Sequence, residues 1–405
     1  MKIVVIGAGV LGACVARSLA VAGEDVLLLD QCGPGTGTTA TTFSWTNANG
    51  KLDPDYHLLN VEGIEEHARL AQQLPGLRSY SPSGSLHFAD SASQSWLASR
   101  VHKLRSLNYP ARFIEREEAR RLAGDIRIPA SVTSIALFPS EGYVLPDRLV
   151  QGLVSDARRY GASISLGEVV AIDEGANGVS VTLAGGGVCT GDRVVLAAGR
   201  GTEKLAARAG IELPMVTDIH RGSPTIGLLG YVRSPKVDLR CVIHTPVLNL
   251  RPGANGHNVV QALDLNDSVD PLSPPSADSE IASRIAKRFT ALITLTDPAR
   301  APEIELRVGL RSLPADGRPL AGYASAHSRI YCLVSHSGIT LGPLLGRLVA
   351  TEIITDQAQD LLRAFRPGRL AGIDRTDIKL EDSAQLGEQR SRRQRPNPVT
   401  EGSPK

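Results

Sequence analysis

The glycines near the start of the chain constrain its fold more than any other feature. Gly7-Ala-Gly9-Val-Leu-Gly12 follows an apolar run at residues 2–6 and opens a stretch, 10–22, whose apolar residues recur at helical spacing; residues 25–30 then read as a second strand. In such a βαβ unit one glycine makes the tight turn, the next lets a pyrophosphate approach the backbone at the helix N-terminus, and the third lets helix pack on strand. Asp30 ends the second strand where a carboxylate accepts from a ribose 2′-hydroxyl, and its charge disfavours a 2′-phosphate. Gly7, Gly9, Val10, Leu11, Gly12 and Asp30 are therefore the expected contacts to a dinucleotide, either NAD or FAD.

Beyond this unit, the periodicity predicts helices at 54–74, 91–107, 146–160, 281–292 and 340–354. Strands are predicted at 163–166, 169–172, 179–183, 193–197 and 329–334, with a strand-rich stretch over 214–265. Residues 85–144 carry short strand and helix signals broken by Ser, Pro and Gly, which reads as an inserted segment, and the proline-rich 266–278 reads as a loop. The fold class is α/β.

The 405 residues are 42% hydrophobic and 21% charged, an ordinary globular composition whose length suggests two or three structural units. A formal charge of +2 gives no electrostatic support for nucleic-acid binding and points to a small-molecule substrate. The five cysteines (Cys14, Cys32, Cys189, Cys241, Cys332) lie far apart, and the nine histidines show no His-x-His or His-Glu-x-x-His spacing. That pattern predicts no disulfide framework, no metal and a reducing, cytoplasmic setting. Residues 3–16 are uncharged, but glycines interrupt them and they run on into the second strand, so they read as part of the fold rather than as a signal peptide. No stretch approaches the ~18–20 uninterrupted apolar residues of a membrane span. Residues 381–405 carry Arg390, Arg392, Arg393 and Arg395 with almost no large apolar side chain, and read as a disordered basic tail. An aromatic content of 4% speaks against a cage for a bulky cation.

Further motifs stand in a fixed order. Gly37-Thr-Thr-Ala-Thr-Thr42 precedes Ser44-Trp-Thr-Asn-Ala-Asn49; then come Glu141-Gly-Tyr-Val-Leu-Pro146, Asp192-Arg-Val-Val-Leu-Ala-Ala-Gly199, Gly309-Leu-Arg-Ser-Leu-Pro-Ala-Asp-Gly-Arg-Pro319 and His336-Ser-Gly-Ile-Thr-Leu-Gly-Pro343. Together with the glycine turn they make nearly the whole ordered chain resemble the D-amino-acid-oxidase-like (DAO) superfamily of FAD-dependent oxidoreductases, which includes glycine oxidase, sarcosine oxidase and D-amino-acid dehydrogenase. The resemblance implies FAD rather than NAD. It also implies a Rossmann-type FAD-binding domain built from 1–84, 141–220 and 305–380, interleaved with a β-rich, α+β substrate-binding domain from 85–140 and 221–304.

Residue roles follow from the same resemblance. Thr38, Thr39 and Thr42 stand where the pyrophosphate and flavin edge are held, Val169 where backbone meets adenine, and Ala198 and Gly199 where a strand ends beneath the dinucleotide. Ser337, Gly338, Ile339, Thr340 and Leu341 open a helix whose positive end can stabilise the anionic N1–C2=O2 region of a reduced flavin. Arg311 occupies the position that grips a substrate carboxylate in glycine-oxidase-like members, a task suited to a planar guanidinium. Ser312 replaces the proline usual in the family, residues 307–318 lack the cysteine that tethers flavin in sarcosine-oxidase-like members, and 242–265 lack the lysine those oxidases place above the flavin. FAD is therefore expected to be non-covalent, and the electron acceptor is either oxygen or a quinone or other carrier. His336 and His244 are candidates to deprotonate an ammonium, and Asn49 and Lys51 to meet the substrate.

The expected reaction is oxidation of the C–N bond of a small amino or imino acid, by hydride transfer to flavin N5, to an imine that hydrolyses. The alternatives are a flavoenzyme for a larger biosynthetic amine, and a flavin-bearing subunit of a hetero-oligomeric dehydrogenase. Homo-oligomer or monomer is left open.

Overall fold

A computed structural model describes residues 1–233, 237–293 and 302–373; the tail expected at 381–405 lies outside them. Two sheets organise the chain. The first has six strands in the order Leu320–Tyr323, Ile330–Val334, Arg193–Leu196, Lys2–Ile6, Asp25–Asp30 and Ser163–Leu166. Its pairs are parallel apart from Leu320–Tyr323 on Ile330–Val334. Both faces are covered, which is why its central strands read as unbroken apolar runs. Ile3 and Val5 pack with the helices Val10–Val21, Pro146–Arg159 and Gly338–Thr355, whereas Val4 and Ile6 turn to the three-stranded meander Val169–Gly175, Gly178–Leu183 and Val188–Gly191.

The second sheet has eight strands, ordered Glu303–Leu310, Ile226–Arg233, His257–Gln261, Asn249–Pro252, Val242–His244, Ser85–Asp90, Val132–Phe138 and Arg112–Phe113. Leu86, Leu228, Val232, Ile243, Leu250 and Val260 bury one face against Ile285 and Phe289 of the helix Glu280–Leu292. The period of two sends Tyr231, Arg251, His244 and His87 to the opposite face. That face meets the segment following the Asp30 strand: Tyr231 donates to the Ala40 carbonyl at 3.1 Å, Arg251 Nε donates to the Phe43 carbonyl, and Gly309 passes so close to Thr41 that a side chain there would lie 2.5 Å from the Thr41 oxygen. The candidate site lies along this seam.

Several expectations shift. Glu303–Leu310 pairs with Ile226–Arg233 in the eight-stranded sheet, so the chain returns to the six-stranded sheet only after residue 310, not at 305. The helix Arg116–Ala123 lay unseen within the inserted segment, and the last helix begins at Gly338 rather than 340. That helix, Gly338–Thr355, has the length and mean hydropathy of a membrane span, but Arg347 and Glu352 interrupt its apolar run, as expected from the sequence, and 78% of it is buried inside the protein as a core element.

Candidate functional site: an FAD cradle beside a cationic pocket

The glycine turn is built as the sequence requires. Gly7 has φ +104°, and a side chain there would lie 2.4 Å from the Ala197 carbonyl oxygen; one at Gly12 would lie 1.8 Å from the oxygen of Gly7. The helix N-terminus at Gly9 has no capping side chain and no acidic residue in its first turn, and Val10 N–H is met by Thr39 Oγ1 at 3.1 Å. Asp30 accepts from the amides of Ala8, Cys32 and Gly33, each at 2.8 Å, which fixes its carboxylate beside the turn.

Thr38 begins a short 3-10 helix, Thr38–Thr41, and donates to the Leu310 carbonyl at 2.7 Å; the Thr42 hydroxyl accepts from Ser44 N–H. At the next strand end, Ala198 leads into Gly199, at φ +57°, where a side chain would lie 3.0 Å from Ser312 Oγ. Ser312 thus packs close against the end of that strand. Val169 begins the meander, and its carbonyl accepts from Arg208.

A second uncapped helix N-terminus is formed by Ser337 and Gly338, again without acidic residues in the first turn. Ser337 Oγ is 2.7 Å from Tyr56 OH, and Thr340 Oγ1 accepts from Asn47 N–H at 3.3 Å. Leu341 lies wholly buried on the Val10 helix side of the core. Two helix N-termini without acidic residues, a glycine turn that admits no side chain and an anchored carboxylate fit the phosphates, ribose and flavin of FAD.

Arg311 closes the other side. Its backbone N–H donates to Thr225 O at 2.7 Å and Nη1 donates to Pro224 O at 2.6 Å. The side chain is partly buried, and desolvation pushes its pKa down to about 10. No carboxylate among the described residues pairs with it. His336 is held well below the usual imidazole value, by burial first and then by the positive charges of Arg311 and Lys51. Lys51, 8% exposed, places Nζ 5.1 Å from the Tyr56 ring centroid. The structure thus brings Arg311, His336 and Lys51 to one electropositive place.

Asn49 and His244 belong to a neighbouring group. His244 packs 4.1 Å from the Trp45 ring and 4.3 Å from the His87 ring, and Asn49 Nδ2 lies 3.5 Å from His87 Nε2. Beneath them Glu141 is completely buried and accepts from Trp45 Nε1 and Tyr109 OH, each at 2.9 Å, from Ser85 Oγ, and from Asn49. Burial pushes its pKa up to about 8 against those hydrogen bonds. In the sequence Glu141 and Trp45 stand within motifs that give neither a role, and Arg251 and His87 carry no signal at all. Nothing local marks them, because partners from four segments create the site.

A βαβ glycine turn, two helix N-termini without acidic residues and a partly buried guanidinium with no carboxylate partner among the described residues are the features of a dinucleotide-cofactor oxidoreductase. A family model described as FAD dependent oxidoreductase (DAO) matches residues 2–352, and the chain belongs to that family, whose cofactor is FAD. It is similar to one component of the opine oxidase of Agrobacterium tumefaciens, with 23% identity over 379 residues that cover 90% of this chain and 96% of that one. Among solved structures it resembles glycine oxidase from Geobacillus kaustophilus (TM-score 0.77, 20% identity, 92% of this chain and 100% of that one). It also resembles iminodiacetate oxidase from Chelativorans sp. BNC1 (TM-score 0.73, 22% identity, 90% and 98%).

Proposed function

We propose that the protein oxidises the C–N bond of a small amino or imino acid. Arg311 carries the proposal: an enclosed guanidinium with a backbone carbonyl as its hydrogen-bond partner and no carboxylate among the described residues is suited to an anionic ligand. The compounds in the names of similar proteins support the same class, since an opine, glycine and iminodiacetate are all amines that bear carboxylates.

Arg311 grips the substrate carboxylate and so fixes the α-carbon, while Lys51 adds positive field to the same place. His336, held neutral, adds no third positive charge and leaves the amine free to bind unprotonated. Bound FAD supplies the hydride acceptor for this chemistry. The imine leaves as product and hydrolyses. A second reading is favoured by the length-wide likeness to the opine oxidase component: the chain is the flavin-bearing subunit of a larger dehydrogenase.

Anaerobic mixing of the yellow holoprotein with glycine, N-methylglycine, proline, iminodiacetate and D- and L-amino acids tests the proposal through flavin absorbance. Bleaching by a member of the panel is the expected result, and admitting air then separates an oxidase from a dehydrogenase. Arg311→Ala is expected to lower kcat/KM for that substrate roughly a hundredfold, about 3 kcal/mol for a charge-assisted pair. Unchanged kcat/KM would remove Arg311 from the site, and bleaching only after a second polypeptide is added would favour the larger assembly.

A further inference from the structure

The helix that opens the flavin site contains a proline, Pro343, five residues beyond Gly338. In a regular helix the carbonyl of Ile339 accepts from the N–H four residues on, but that residue is Pro343, which has none. Ile339 is 7% exposed, so its carbonyl is poorly placed to find water, and a buried carbonyl left unpaired is costly. The missing donor comes from another helix. His67, 1% exposed on Pro54–Gln73, brings Nε2 to 2.7 Å from the Ile339 oxygen. A carbonyl only accepts, so Nε2 carries the hydrogen; Nδ1 is buried with no acceptor facing it, which fits a neutral ring whose single N–H is at Nε2. Burial, outweighing that hydrogen bond, lowers the His67 pKa to about 4 and keeps the ring neutral. Tyr80 stacks on the same ring at 5.1 Å.

His67 does not act alone. Tyr56, Gly63 and His67 share one face of their helix, since they are separated by near-whole numbers of turns. Tyr56 OH meets Ser337 Oγ at 2.7 Å, and at Gly63 a side chain would lie 2.7 Å from the Thr340 oxygen, so this face lies directly against the first turn of the flavin-site helix. We propose that His67 is a positioning residue for the cofactor: it replaces the hydrogen bond that Pro343 removes and thereby holds the first turn that begins at Gly338 in the geometry in which its N-terminal end would meet the flavin. This goes beyond the proposed reaction and holds whatever the substrate.

The test is a double-variant cycle of His67→Ala, Pro343→Ala and both together. FAD affinity is read by titrating the apoprotein, and sulfite affinity by absorbance of the holoprotein, because the sulfite adduct reports how well negative charge on the flavin is stabilised. His67→Ala is expected to weaken both by about tenfold, the effect of one buried hydrogen bond. Pro343→Ala restores a donor at residue 343, so in the double variant the loss is expected to shrink to within about threefold of the Pro343→Ala value. Equal losses from His67→Ala in both backgrounds would overturn the proposal, as would FAD and sulfite affinities unmoved by His67→Ala. If His67→Ala alone does not fold, a double variant that folds and binds sulfite supports the coupling, and one that remains unfolded overturns it.

Discussion

Glu141 poses the sharpest energetic problem of any single residue near the site. A carboxyl with no exposed surface and no cation among its bonded partners costs more to bury charged than neutral, and Ser85, Tyr109, Trp45 and Asn49 only partly compensate. Its pKa of about 8 lies above the unfolded value, so between about pH 4.3 and about pH 8 the folded state holds a proton that the unfolded state has released. Stability is therefore expected to fall as pH rises through that window, and Glu141→Gln to flatten the fall. Melting temperatures of both proteins from about pH 5 to about pH 9 measure it; parallel curves would mean that Glu141 is ionised throughout. At this scale the sequence was legible only where chemistry sits in a local motif. Gly7 and Gly12 declared themselves by their neighbours and Arg311 was singled out only through the family resemblance, whereas the burial of Glu141, and with it the unusual proton, exists only once segments 45–49, 85 and 109 converge.

Among the elements, the last helix links the site to the end of the described chain. Glu352, its side chain 3% exposed, accepts from Tyr331 OH at 2.6 Å, from Gln359 N–H at 2.6 Å, and from both terminal nitrogens of Arg366, one at 2.8 Å. Arg366 thereby pins the segment holding Leu362 and Phe365 onto the core that the helix shares with Val10–Val21. Arg366→Ala leaves a buried carboxylate without its cation and is expected to cost about 2–3 kcal/mol, below the roughly 3–5 kcal/mol of fully buried pairs because Arg366 is partly exposed. Urea denaturation measures it, and a change under about 0.5 kcal/mol would place the pair among ordinary surface ion pairs. Most elements were legible because the helices and strands carry clear periods, but the strand Glu303–Leu310 was not among those predicted, and only its register with Ile226–Arg233 decides which sheet it joins.

In the whole molecule, neither layer is made from one stretch of chain. The six-stranded sheet draws on residues 2–30, 163–196 and 320–334, and the eight-stranded sheet on 85–138 and 226–310 between them. Length and composition pointed to two or three units, and the interleaving came from the resemblance, since pairing between distant strands leaves no local trace. One consequence is thermodynamic. The core around the Val10 helix is incomplete until residues as late as Phe365 have packed, and the inserted strands are tied into the chain between its parts, so the two layers are expected to unfold together. A ligand that binds the folded cofactor layer should then protect both. FAD at about 100 times its Kd adds about 2.7 kcal/mol to the folded state, and NAD at the same concentration is expected to add nothing. Trp96, packed with Leu97 and Phe138 in the inserted layer, is the reporter, made the sole tryptophan by Trp45→Phe. If FAD raises the Trp96 transition as much as the loss of secondary structure, the layers unfold as one; a Trp96 transition indifferent to FAD would show that the eight-stranded sheet stands without its neighbour.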